Sequence, residues 1–110
     1  MVVQTEADEA TDRLFQALAD ATRRDILARA AVDELSVSAL AAGYAMSFAA
    51  VQKHVAVLVR AGLVTKRRRG REQLVHVDPE PLERARALLE QYESLWRHRA
   101  AGMERLLAEG

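Results

Sequence analysis

At 110 residues, with sixteen basic and sixteen acidic side chains, the chain has the length of a single domain and no formal net charge at neutral pH, and a domain this small buries a limited core on its own. It contains no cysteine, which excludes disulfides, thiolate metal sites and a thiol redox switch and fits an intracellular compartment. No apolar run approaches the roughly 18 to 20 residues of a membrane span, and the opening MVVQTEADEA is acidic where a secretion signal would be basic; the expectation is a soluble, cytoplasmic protein with no membrane contact.

Zero net charge hides a strong segregation. Residues 47–71 carry Lys53, Arg60, Lys66, Arg67, Arg68, Arg69 and Arg71 without one Asp or Glu, so the rest of the chain is net acidic. A basic patch on an acidic body is the footprint of a surface that meets a polyanion in one orientation. Fourteen arginines against two lysines, and 21 alanines, have the bias of a GC-rich bacterial genome.

In chain order, Leu14, Ala17, Leu18 and Ala21 repeat as one apolar face in a first helix opened by Glu6, Asp8, Glu9 and Asp12, and acidic residues suit a helix N-terminus. Asp20 is placed to cap a second helix running from Ala21 to about Ala31, with Ile26, Leu27 and Ala30 inward and Arg23, Arg24 and Asp25 in water. Ser36 repeats the capping signal for a short third helix that stops at Gly43, with Val37 and Leu40 buried. Ser47 caps the fourth, residues 47–61. There Val51, Val55 and Leu58 share a narrow arc with Phe48 at its edge, and Ala49, Lys53, Ala56 and Arg60 point the opposite way.

That outer face is small at its start and basic along its length. Ala49 and Ala50 permit close approach to another surface, while Gln52 can pair with an adenine edge and Lys53 can reach guanine or phosphate. Leu63-Val64 begins a strand, Gly70 supplies the positive φ of a tight turn, and Leu74 to Val77 returns as its partner. Lys66, Arg67, Arg68, Arg69 and Arg71 line this hairpin. A final helix from Pro81 repeats Leu82, Ala85, Leu89, Tyr92, Trp96, Met103 and Leu106 at steps of three and four, interrupted at Arg99. Such a seam exceeds what one small core requires and reads as a subunit interface.

The histidines are scattered. His54 lies at the edge of the buried arc and reads as a structural boundary residue; His76 and His98 read as surface residues without companions. Ser36, Ser38 and Ser47 occupy capping or helix-start positions, and no histidine pair or glycine-rich phosphate loop accompanies them. No catalytic residue, metal ligand or cofactor is assigned, and an enzyme is not expected.

Helix, helix, helix, reading helix, hairpin and long helix, in that order, resembles the ArsR-type winged helix-turn-helix repressors of bacteria. The residues that carry the resemblance are Leu18-Ala-Asp-Ala-Thr-Arg-Arg-Asp-Ile-Leu27, in which Ala21 stands where the family pattern has proline, and Val51-Gln-Lys-His-Val55 through Ala61-Gly-Leu-Val64. The likeness spans about residues 12–108. It implies a homodimer joined through the first and last helices, with Leu14, Leu18, Leu82, Leu89, Tyr92, Trp96, Met103 and Leu106 at the interface. It also implies that Ser47, Ala49, Ala50, Gln52 and Lys53 enter the major groove while the basic wing follows the backbone. Family members that sense metals carry a Glu-Leu-Cys-Val-Cys box, and the matching stretch is Glu34-Leu35-Ser36-Val37-Ser38. A serine hydroxyl stays protonated at neutral pH and is a poor ligand for soft or borderline ions. A Trp96-x-x-Arg99 element is similar to a non-metal subgroup, several of whose members repress their own operons.

The sequence thus predicts one mainly α winged helix-turn-helix domain over residues 1–110: two helices in 5–34, the helix-turn-helix in 36–61, the wing in 63–78 and the dimerisation helix in 81–108. Its expected partners are a second copy and a palindromic double-stranded DNA operator. The alternative is the same scaffold acting as a metal- or small-molecule-responsive sensor that releases DNA when its effector binds.

Overall fold

The computed structural model describes residues 3–109. Five helices and three short strands follow one another as α1 (Glu6–Leu18), α2 (Ala21–Val32), β1 (Leu35–Ser36), α3 (Val37–Ala42), α4 (Phe48–Arg60), β2 (Val64–Arg69), β3 (Glu72–Val77) and α5 (Glu80–Glu109). The expected order holds, with one element added. The wing is the outer part of a three-stranded antiparallel sheet ordered β1-β3-β2, with Leu35 opposite Val75 and Ser36 opposite Leu74. Two residues of strand are too few to show an alternating pattern, so β1 leaves no periodic signal.

Each helix start is chemically marked. Thr5 accepts the Asp8 amide at 3.1 Å while the Asp8 carboxylate accepts the Thr5 amide at 3.1 Å, a reciprocal cap that satisfies two donors at the head of α1. Asp20, Ser36 and Ser47 accept the amides of Arg23, Ala39 and Ala50 at 3.0, 3.0 and 3.1 Å, as their positions predict. The Arg23 amide bonded to Asp20 holds that carboxyl below its ordinary pKa.

α1 ends without a basic residue in its last turn, and α2 supplies the missing donors. Arg23 Nη2 and Nε donate to the carbonyls of Gln16 and Ala17, each at 2.9 Å, and Arg24 Nη1 donates to Leu18 at 2.8 Å. The Ala17 and Leu18 carbonyls, and the Gln16 carbonyl that also accepts the Ala19 amide at 3.2 Å, thereby gain side-chain donors, and two cations sit at the negative end of the helix dipole. Periodicity places Arg23 in water. The structure instead leaves its side chain only 17% exposed, because its fork lies across the α1–α2 corner. Arg23 Nη1 also reaches His54 Nδ1 on α4 at 3.4 Å; since the guanidinium has no acceptor, Nδ1 takes the bond. Replacing Arg23 by Ala is expected to lower unfolding free energy by about 1 to 3 kcal/mol, because the Ala17 carbonyl loses its Arg23 donor and the Gln16 carbonyl keeps only the Ala19 amide; denaturant titration at fixed protein concentration measures it.

The core forms where α1, α2, α3 and α4 meet the inner end of the sheet, with Leu14, Ile26, Leu40, Val51, Val55, Leu58, Leu63, Val64 and Val75 almost fully enclosed. Leu63 enters it through the end of α4. The amides of Gly62 and Leu63 donate to the carbonyls of Val59 and Leu58 at 2.9 and 3.0 Å, and Gly62 adopts φ 77°. This helix stop requires a left-handed residue and turns the chain abruptly into β2. Ala21 opens α2, as the Asp20 cap predicts.

α5 begins on the core through Pro81 and Ala85 and then leaves it. From Leu89 to Glu109 it runs on for about 30 Å at 1.5 Å per residue, which gives the subunit a long dimension of 69 Å against 30 and 23 Å in the others. Intrahelical ion pairs, Arg84 to Glu80, Arg86 to Glu83 and Glu90, and Arg97 to Glu93, support this projecting rod along its polar face. No helix among the described residues is long and apolar enough to cross a membrane.

Candidate nucleic-acid interface

α3 and α4 are joined by a turn that is locked from behind. Tyr44 donates its hydroxyl to Asp25 Oδ2 at 2.5 Å, and the Arg29 guanidinium lies 5.1 Å from the centre of its ring while donating to the Leu40 carbonyl at 3.3 Å. Partial burial, followed by the bond to Asp25, raises the Tyr44 pKa. α2 therefore sets the position of the turn from which α4 departs.

α4 buries Val51, Val55 and Leu58 and leaves Ala49, Gln52, Lys53 and Arg60 exposed. Ala49, Lys53 and Arg60 form the outward strip. Ala50 and Ala56 are half-buried at its margins. Ser47 has its hydroxyl committed to the Ala50 amide. Gln52 stands on the flank that faces the wing. Together with Phe48 and Val55 it forms one wall of a cleft of about 180 Å³, closed by Val37 and Ser38 of α3 and by Lys66, Arg71, Glu72 and Gln73 of the wing.

The hairpin register divides the basic run. Arg69 pairs with Glu72, so Gly70 and Arg71 form a two-residue turn, and the positive φ of Gly70 at its first position marks it as type II′. Side chains alternate across the sheet. Lys66 and Arg68 share the α4 side with Gln73, whereas Arg67 and Arg69 share the other with His76. Arg68 folds back to donate from Nε to the Gly70 carbonyl at 3.3 Å. Arg69 lies 4.0 Å from Glu34, whose other carboxylate oxygen is 3.0 Å from His76 Nε2. Arg69 is the member of the basic segment that meets a carboxylate among the described residues; Lys53, Arg60, Lys66, Arg67, Arg68 and Arg71 form no ion pair there.

Of the ten side chains expected to meet DNA, those on α4 and Lys66, Arg68 and Arg71 of the wing lie toward one side, whereas Arg67 and Arg69 point to the opposite face of the hairpin. Phe48 and Gln73 belong to the same surface, although the charge pattern points to neither. Gln73 is within reach of the turn alone: counting back from Gly70-Arg71 sets it opposite Arg68. His54, expected as a boundary residue, is half-buried and bonds the Arg23 side chain.

The residues expected at a subunit interface divide by exposure. Leu89, Tyr92, Trp96, Met103 and Leu106 are open to solvent on α5, and Leu95 and Leu107 widen the same stripe. Leu18 and Leu82 are half-buried against the subunit core. Leu14 is 1% exposed within that core and has no surface left to offer a partner. The 3.6-residue period shows that Leu14 lies on the inner face of α1 but not whether its cover comes from one chain or two.

At the position of the metal-sensing box, Ser36 is buried and its hydroxyl accepts the Ala39 amide. Its chemistry is that of a helix cap. No group of three or more His, Cys, Asp or Glu side chains converges on a metal-sized site among the described residues.

A short helix, a locked turn, a second helix with a small, basic outer strip and a hairpin beside it define a winged helix-turn-helix domain, a scaffold that sets its second helix in the major groove of DNA. A helix-turn-helix domain family model matches residues 18–67. The HTH-type transcriptional regulator Rv2034 of Mycobacterium tuberculosis is 38% identical over 96 residues, covering 87% of each chain. The crystal structure of an ArsR family transcriptional regulator superposes with a TM-score of 0.77 at 31% identity, over 87% of this chain and 97% of that one. A homodimeric winged helix-turn-helix DNA-binding domain from Mycobacterium bovis, a possible ArsR-family regulator, gives 0.65 at 28% identity over 86% and 91%. The chain belongs to the ArsR family of helix-turn-helix transcriptional regulators.

Proposed function

We propose that the protein is a homodimeric repressor that reads a palindromic operator, its own promoter among its targets. Each subunit sets α4 in a major groove and its wing along the adjacent backbone. The observation that carries this reading is the coincidence of charge and shape: the segment without an acidic residue, 47–71, is the one folded into α4, β2 and the turn of the wing. α5 supplies the second half of the reading. Its exposed stripe of Leu89, Tyr92, Trp96, Met103 and Leu106 is too apolar for solvent and is repeated on every copy. A two-fold pairing through it presents two α4 helices to one duplex. Leu18 at the edge of α1 extends the same contact.

Selecting genomic fragments on the purified protein at moderate salt tests the proposal. The expected result is a shared inverted repeat whose half-sites lie about one helical turn, or a multiple of it, apart, overlapping promoter elements. Transcription from such a fragment in vitro should fall as protein is added. Fragments with no common sequence, or a single unrepeated half-site, would overturn the reading.

A further inference from the structure

We infer that Phe48 and Gln52 act as a pair that selects an adenine and a nearby thymine in each half-site, Phe48 by packing its ring on the thymine 5-methyl group. The inference rests on the operator reading above and adds to it which bases the helix prefers.

Among the described residues, Phe48 is the exposed aromatic side chain outside α5, 46% accessible at the first position of α4. The space beneath is occupied by Val51 and Val55, both essentially closed to solvent. The ring instead stands at the rim of the cleft beside Val37, Val55 and Gln52. This leaves an apolar face on a surface whose other exposed groups are polar or small: the alanines, amides and cations of α4 and the wing, the Ser38 hydroxyl and the Glu72 carboxylate. Water is a poor environment for that face, and the first turn of a groove helix is the part that approaches base edges.

The major groove offers one apolar group to a reader, the 5-methyl of thymine; cytosine presents an amino donor with no methyl. Phe48 has no hydrogen-bonding atom, so a methyl is the feature it can distinguish. Gln52, four residues on, lies on the same side of α4 about 6 Å further along its axis. Its side-chain amide matches the N6 and N7 pair of adenine. With base pairs about 3.4 Å apart, the two side chains reach positions within about two base pairs of each other. The half-site should therefore contain an adenine and a thymine at that spacing, and Lys66 and Arg71 across the cleft are placed for the phosphates beside them.

Replacing each operator thymine by deoxyuridine tests this, since it removes the methyl and leaves pairing unchanged. One thymine in each half-site should respond, weakening wild-type binding about fourfold, the effect of burying one methyl-sized group. In Phe48→Ala the same replacement should have no effect, while Phe48→Leu, which keeps an apolar contact, should retain part of it. Gln52→Ala should leave the uridine effect in place and abolish discrimination at the neighbouring adenine. Two results would overturn the inference: an operator in which no thymine methyl matters, or a methyl effect of the same size in Phe48→Ala. Both differ from failure of the operator reading, which would appear as equal wild-type affinity for selected and random DNA. The scan on the wild-type protein decides the first point even if Phe48→Ala does not fold.

Discussion

Leu89→Asp and Trp96→Asp are each expected to convert the protein to a monomer at micromolar concentration and to reduce operator affinity by at least two orders of magnitude, the advantage that tethering a second half-site contributes. Leu89 and Trp96 are 56% and 66% exposed in the subunit, so neither belongs to the core formed by α1 to α4 and the sheet. An aspartate at either place adds nothing unfavourable to an isolated subunit, but in a pairing of two α5 stripes it is a charge in an apolar contact. The residual binding should carry about half the wild-type slope of log affinity against log salt, because half the phosphate contacts remain. Light scattering and a salt series on one operator fragment read both quantities. A wild-type protein that is a folded monomer at micromolar concentration, or variants that lose dimerisation but keep full operator affinity, would contradict the proposed coupling.

Much of this molecule is legible in its sequence because its signals are local. Asp20, Ser36 and Ser47 cap the helices they precede, Gly70 takes the positive φ that a tight turn requires, and the buried arc of α4 follows from the 3.6-residue period. What escaped depends on partners distant in the chain. Arg23 looks like a solvated residue on a helix face until α1 brings the Gln16 and Ala17 carbonyls across the corner. β1 exists because β3 lies beside it. Leu14 and Leu89 are indistinguishable as periodic leucines, yet one is sealed in the subunit and the other stands in water.

The wing shows the same division within five residues. Lys66, Arg67, Arg68, Arg69 and Arg71 form one block of charge in sequence, but the antiparallel register sends Lys66 and Arg68 to the α4 side and Arg67 and Arg69 to the face shared with His76. Glu34, just ahead of β1, then draws Arg69 and His76 together. Charge density is a property of composition; which cation reaches a phosphate is decided by the pleat.

Gln52→Ala and Arg68→Ala are expected to fail differently, because the two side chains contribute different physical terms to one binding free energy. Gln52 stands on the flank of α4 within its first turns, where an amide can meet a base edge and a missing bidentate pair cannot be replaced by water in the same geometry. Its truncation should weaken binding to the operator by roughly 1 to 3 kcal/mol and to random DNA far less, so that the ratio between them narrows. Arg68 extends from a hairpin, exposed, with no carboxylate partner among the described residues and an Nε already turned toward the Gly70 carbonyl. A guanidinium so placed suits phosphates, which are alike on every sequence. Arg68→Ala should weaken both DNAs by similar factors and lower the salt slope by about one unit for each phosphate left without its cation. If Gln52→Ala instead weakened both DNAs equally while Arg68→Ala removed operator preference, the reading surface would lie on the wing, with α4 serving to anchor it to the backbone.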